Sequence, residues 1–253
     1  MGFSFNGITS KEMGIPTRMS IENRIPGIRN LTDTIAGRHG VFDFGETLSE
    51  RRIEISCFIP PGKSDTGLLA LKDKIVEWLN PDKGLCPLVL DTEPGRMYMA
   101  RLEDGLSFER MIRNTGTFEI AFFCPDPFAY AIEDEIFTLA QSETIKRVLG
   151  NTQSHPVYEI RGMLTDEGQS LSFTINKEQM VIKGPLLEGE VLYVDTDDMT
   201  AKIIAADGTE KNALSHMAAF EFPYLNMGEN EIAIGTENGT LTSFTIRAKS
   251  RWL

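Results

Sequence analysis

The sequence predicts a mainly β protein of two domains, with a single α-helix in the first. Three observations carry that expectation. Residues 52–59 alternate, with Ile53, Ile55, Cys57 and Ile59 on one side and Arg52, Glu54 and Ser56 on the other, the period-2 pattern of a half-buried strand. From Val157 onward, short apolar runs recur to the end of the chain with turn residues between them and no helix-length periodicity. Helical spacing stands out at Leu68, Leu71, Ile75 and Leu79, with Trp78 beside them.

Taken in chain order, residues 22–45 come first. Asn23, Pro26, Gly27, Asn30, Gly37, Gly40 and Gly45 divide this stretch into turns, yet Ile25, Ile28, Leu31, Ile35, Val41, Phe42 and Phe44 are scattered through it. So many apolar groups in an irregular segment need a home. The segment reads either as an extended hairpin or arm that needs a partner, or as part of the N-terminal core. The strand at 52–59 follows, then the helix. Ser64 or Asp65 is placed to cap its start, and Asn80-Pro81 ends it because proline disfavours helix in the residue before it. Thr117–Cys124 puts Phe118, Ile120 and Phe122 on one face of a second strong strand. Cys124-Pro125-Asp126-Pro127-Phe128 is a breaker cluster.

Beyond it, strands are expected at Val157–Ile160, Leu171–Ile175, Met180–Ile182, Val191–Val194, Ala201–Ala205, Glu231–Ile234 and Leu241–Ile246. Asp207-Gly208, Gly228-Glu229-Asn230 and Asn238-Gly239 supply turns between them. This is the pattern of an antiparallel β-sandwich. A boundary near residue 134 gives domains 1–134 and 135–253.

The chain has 253 residues, enough for two ordinary cores. It carries 37 acidic and 25 basic residues, a formal net charge of -12. Holding nucleic acid by its phosphates needs the opposite sign, so no specific nucleic-acid binding is expected. Nothing approaches the length of apolar run that crosses a bilayer, so no membrane insertion is expected. Met1–Gly7 lacks the basic and apolar regions of a secretory signal. Cys57, Cys86 and Cys124 are widely spaced among apolar neighbours and read as buried free thiols.

No chemical motif is complete. Residues 57–64 end in Gly62-Lys63-Ser64 like a phosphate loop, but Cys57 stands where the motif needs glycine, and Pro60 and Pro61 lack the N–H groups that would face a phosphate. Asp195-Thr196-Asp197-Asp198 begins like a calcium loop, but the sixth and twelfth positions hold Thr200 and Ala206 instead of Gly and Glu. His39, His155 and His216 show no metal-ligand spacing. No G-x-S-x-G elbow occurs. The acidic residues Asp91, Glu93, Glu103 and Asp104 read as solvated surface. No catalytic, cofactor or metal residue is assigned, and no enzyme is expected.

A family resemblance reaches further. Phe3-Ser4-Phe5-Asn6-Gly7-Ile8 with Met13-Gly14-Ile15 looks like the opening of siphophage distal tail proteins. Segments similar to that family follow in order: Ile35-Ala36-Gly37-Arg38-His39-Gly40, Arg51–Ile55, Leu88–Asp91 with Tyr98–Arg101, Phe118–Tyr130, Tyr193–Asp195, Phe222–Leu225 with Gly228–Asn230, and Arg251-Trp252-Leu253. They span nearly the whole chain, and the match looks close to phages of Bacillus-type hosts.

The resemblance implies an N-terminal β-sandwich or split barrel with one helix, related to tail-tube proteins, and a galectin-like C-terminal sandwich. It implies a homohexameric hub ring at the tail tip, single or as two rings back to back, assembled in the bacterial cytoplasm. The ring would connect the tail tube protein to a tail-tip adhesion protein, meet the tape measure protein, and let DNA pass. No cofactor is implied. With a ring in view, Ile25, Ile28, Ile35, Val41, Phe42 and Phe44 become the candidate subunit interface. The alternative is a carbohydrate-binding module that recognises the host cell wall; Trp78 is assigned to the helix core and Trp252 to the tail, which leaves no tryptophan platform for a sugar.

Overall fold

The computed structural model describes residues 2–23, 25–59, 65–103 and 117–253. The chain divides into two compact units, Met1–Ala129 and Tyr130–Trp252.

The first unit contains β1 (Phe3–Phe5), β2 (Ile8–Thr9), β3 (Thr17–Asn23), β4 (Ile28–Asp33), β5 (Phe42–Leu48), β6 (Arg51–Phe58), α1 (Asp65–Trp78), β7 (Cys86–Leu90), β8 (Arg96–Leu102) and β9 (Thr117–Cys124). Its main sheet runs in the order β2-β1-β7-β8-β9-β6-β3, while β4 and β5 pair with each other as a separate two-stranded sheet. The alternation expected for 52–59 is realised in β6, where Ile53, Ile55 and Cys57 are buried. β9 lies antiparallel beside it with Phe122, Ile120 and Phe118 opposite those three residues. Both strands therefore contribute to one apolar face.

The helix supplies the other side of that core through Leu71, Ile75 and Trp78, followed by Leu79 just past its end, all buried. Trp78 donates its indole N–H to the Phe5 carbonyl at 2.9 Å. Its ring stacks on Phe3 at 5.4 Å. The helix begins at Asp65; the other proposed cap, Ser64, and the Gly62-Lys63-Ser64 sequence lie outside the described residues, as does Asp104. At the far end Asn80 accepts a hydrogen bond from the Asp82 amide at 3.0 Å. It thereby caps a 3-10 turn that starts with Pro81, the residue that stops α1. The breaker cluster is held as a turn: Asp126 accepts from the Phe128 amide at 3.0 Å, and buried Arg51 donates to the Pro127 carbonyl at 2.7 Å.

The chain continues through β10 (Ala129–Ala131), β11 (Ile136–Leu139), β12 (Glu143–Arg147), β13 (Val157–Met163), β14 (Ser170–Ile175), β15 (Glu178–Lys183), β16 (Val191–Asp195), β17 (Thr200–Ile204), β18 (Glu210–Asn212), β19 (Gly228–Glu237), β20 (Thr240–Arg247) and β21 (Arg251–Trp252). Each of the seven runs expected downstream forms a strand. Two sheets, β11-β20-β13-β16-β17-β18 and β12-β19-β14-β15, enclose one apolar core that includes Tyr158, Phe173, Met180, Leu192, Phe244 and Ile246. Phe173 and Phe244 stack at its centre, 4.2 Å between ring centroids. This is a β-sandwich.

Strands β10, β11, β12, β18 and β21 were not anticipated, and Gly228-Glu229-Asn230, expected as a turn, instead opens β19, where it pairs with β12. In β12 the second inward position after Ile145 is Arg147, which is buried like a core residue. Its guanidinium donates to the carbonyls of Asn226 and Thr152. Desolvation holds its pKa below the ordinary arginine value. Alternation fails to flag a strand whose buried residue is a cation. Asn230, also buried, is satisfied in full: its carbonyl oxygen accepts from Asn176 at 2.7 Å and from the Asn226 amide at 2.8 Å, and its NH2 donates to the carbonyls of Asn226 and Gly228, both at 3.0 Å.

Candidate functional site: an apolar arm

The hairpin β4–β5 is where the sequence placed its candidate interface. Its base is closed by a hydrogen bond from the Ser49 amide to the Gly27 carbonyl at 2.8 Å. Ile28 lies opposite Leu48 and Asn30 opposite Glu46, whereas Thr32 lies opposite Asp43. Between those pairs β4 advances by one residue, Leu31, and β5 by two, Phe44 and Gly45. The result is a β-bulge. Gly45, at φ +101°, takes the left-handed conformation that a side chain would strain, and its amide is held by Asp43 Oδ1 at 2.9 Å.

The register at the tip decides which side chains share a face. Asp33 lies opposite Phe42, so Phe42, Phe44 and Leu31 point to one side, together with Arg29 and Asp33. Ile28 and Leu48 point to the other side. The bulge absorbs Gly45 without slipping the register, so Leu31 keeps the side of Phe44 near the tip while Ile28 still faces Leu48 at the base.

Phe44 is 68% exposed and Ile25, in the lead-in, 78%. Ile28, Ile35 and Val41 are exposed as well, Ile28 on β4 and the other two in the tip loop. Phe42 is half-buried beneath Arg38, whose guanidinium carbon lies 3.9 Å from the ring centroid. The six candidates therefore do not fill the N-terminal core. They divide among the lead-in, the two faces of the hairpin and its tip. Leu31 and Leu48 belong with them and were left out of the candidate set; a bulge has no clear sequence signal beyond Gly45. A two-stranded hairpin with an uncovered apolar face is marginal by itself in water, and clustered exposed apolar groups mark an interaction surface.

The other sequence features settle into structural roles. Cys57, Cys86 and Cys124 are free and buried, and burial pushes the thiols of Cys57 and Cys124 up to about 12. Asp195 accepts the amides of Asp197 and Asp198 at 3.0 and 3.3 Å and pairs with Lys249 at 3.0 Å, an acidic turn between β16 and β17. Glu93 accepts the Tyr98 hydroxyl proton at 2.7 Å. Among the described residues, no cluster of His, Cys, Asp and Glu is arranged to hold a metal ion, and no helix is long and apolar enough to cross a membrane.

Residues 9–124 match the family model of the phage tail protein RIFT-related domain. Over its whole length the chain has the fold of a distal tail protein. It is similar to the crystal structure of the Dit (gp 19.1) protein of SPP1, described as a paradigm of the hub adsorption apparatus in Gram-positive-infecting phages. The TM-score is 0.75 at 14% identity, covering 100% of this chain and 99% of that one. A chain of the phage p2 baseplate in its activated conformation with Sr also matches, with a TM-score of 0.48 at 12% identity, covering 97% of this chain and 96% of that one. No curated protein sequence matches. The resemblance to siphophage distal tail proteins is thus supported by both the domain family and the fold.

Proposed function

We propose that this chain is a structural hub of a siphophage tail tip and not an enzyme: a homohexameric ring, single or stacked as two, that joins the tail tube to the host-adsorption apparatus and leaves a bore for DNA. Residues 1–134 would form the tail-tube-like ring. Residues 135–253 would form a galectin-like domain that docks the adhesion protein, while the tube and tape measure proteins meet the ring. The phage tail domain and the likeness to a hub protein support a role at the tail tip. The observation that carries the ring is the arm, an antiparallel hairpin whose Ile28, Leu31 and Phe44 lie exposed on this chain. A second copy is the partner always available to a tail protein made in many copies. The net charge of -12 fits a bore past which DNA slides without sticking.

Light scattering and electron microscopy of the purified protein test this reading. The expected result is a six-fold ring, or twice that mass. A monomer at every concentration, and also in tail particles, overturns it.

A further inference from the structure

We propose that the arm of one protomer seats on the outer face of α1 in the next. This rests on the ring reading and says which surface of a second copy receives the arm. The arm face carries Leu31, Phe42 and Phe44. If it paired with the same face of another arm, the contact would join two copies and stop, because a self-complementary patch is consumed by one partner. A ring of more than two needs an unlike patch that every copy also carries.

On the first unit, among the described residues, the exposed large apolar side chains outside 25–44 are Ile8, Leu69, Val76, Leu85 and Leu253, the last a single residue at the chain's end. Ile8 and Leu85 stand singly on β2 and before β7. Leu69 and Val76 share α1. They are seven residues apart, hence nearly eclipsed on the helix and about 10 Å apart along its axis. They are 59% and 50% exposed, on the side away from the buried Leu71, Ile75 and Trp78.

Length and charge both fit. Six to seven residues of strand span about 20 Å, and the 14 residues of α1 span about 21 Å. Beside Leu69 and Val76 lie the exposed Asp73 and Glu77 on one flank and Lys72 on the other. Beside the arm's apolar trio lie Arg29, Arg38 and Asp33. Seating the apolar groups together lets Arg38, on the β5 side, meet Asp73 or Glu77 while Asp33, on the β4 side, meets Lys72; Arg29 pairs with Glu50 of its own chain at 3.8 Å.

The test uses full-length Phe44→Cys and Val76→Cys chains, mixed and mildly oxidised. Native cysteines interfere little, since all three are buried. The expected result is a disulfide dimer on a non-reducing gel from the mixture, nothing from either chain alone, and a ladder up to ring size from the double variant. Leu31→Cys with Leu69→Cys should behave alike. A dimer from Phe44→Cys alone, or rings of normal mass with no link from either pair, overturns the seat and leaves the hub reading standing. Monomers throughout overturn both. Where a cysteine itself abolishes the ring, carbodiimide coupling of unmodified rings decides: a Lys72–Asp33 link between isotopically distinct chains supports the seat, and its absence overturns it.

Discussion

β4–β5 and β14–β15 are both antiparallel hairpins with apolar residues on each strand, and they end in opposite situations. In β14–β15 the register runs unbroken from Ser170 opposite Lys183 to Ile175 opposite Glu178. The connection is two residues, Asn176 and Lys177, both at positive φ as a tight primed turn requires. Leu171, Phe173, Ile175, Met180 and Ile182 then all enter the sandwich core. In β4–β5 the register breaks at a bulge, the tip is long, and every β4 residue is exposed. The same local hydrogen bonding thus serves a hairpin completed within the chain and one that is not. An apolar stripe says that a strand has a partner. It does not say that the partner lies in the same chain.

The largest contrast lies at the two phenylalanines. Phe173 is 0% exposed and stacked on Phe244. Phe173→Ala should destabilise the second unit by about 3–5 kcal/mol, through lost burial and the cavity left behind. Chemical denaturation followed by circular dichroism measures it; a loss below about 1 kcal/mol would mean the core is looser than its packing implies. A smaller effect is expected at Asn230, which holds the chain around Asn226 and Gly228 with three hydrogen bonds and ties Asn176 of the β14–β15 turn to the start of β19 with a fourth. Asn230→Ala leaves buried amide partners unsatisfied and should cost about 1–3 kcal/mol. Unchanged unfolding would show that the buried hairpin does not depend on its polar anchor.

How much of this the sequence disclosed depends on the period of the signal. Strict alternation at 171, 173 and 175, or at 53, 55 and 57, announces a strand and its buried face together, and those strands form where expected. The breaker residues 125–127 form a turn as read. β12 was not legible because its buried residues are Ile145 and an arginine. The face of the arm was not legible either: Leu31 joins Phe42 and Phe44 through the cross-strand register that sets Asp33 opposite Phe42, and that register is a property of the paired strands. The outer apolar pair Leu69 and Val76 was hidden by the stronger stripe of Leu68, Leu71, Ile75 and Leu79 on the same helix.

A weaker, pH-dependent effect should separate the second unit from the arm. His155 is half-buried and its pKa is lowered, first by desolvation and then by Arg251 and Lys249, against the opposing pull of Asp197 and Asp195. The folded unit therefore prefers the neutral imidazole more than the unfolded chain does. That contribution is fully present above the unfolded value of about 6.5 and declines as pH falls through it toward the folded value. Stability of the second unit should drop on acidification from neutral pH, and His155→Gln should flatten the slope in that window. A slope identical in both proteins would assign the dependence to other groups.

The smallest expected effect on protomer stability, and the one that tests the comparison most directly, is at Phe44 and Phe42. Phe44 is mostly exposed, so Phe44→Ser should change unfolding of the isolated protomer by no more than about 0.5 kcal/mol. Phe42 lies under the Arg38 guanidinium, a contact worth about 0.5–1 kcal/mol at an exposed site, so Phe42→Ser should cost slightly more. Assembly should respond differently. Each substitution removes an aromatic ring from the face proposed to meet a second copy, so both should shift the light-scattering mass toward monomer while the far-ultraviolet circular dichroism stays the same. If both variants assemble like the parent, the arm is not where subunits meet. If instead Phe44→Ser unfolds the protomer, the arm is held by its own chain after all, and the contrast with β14–β15 is one of degree.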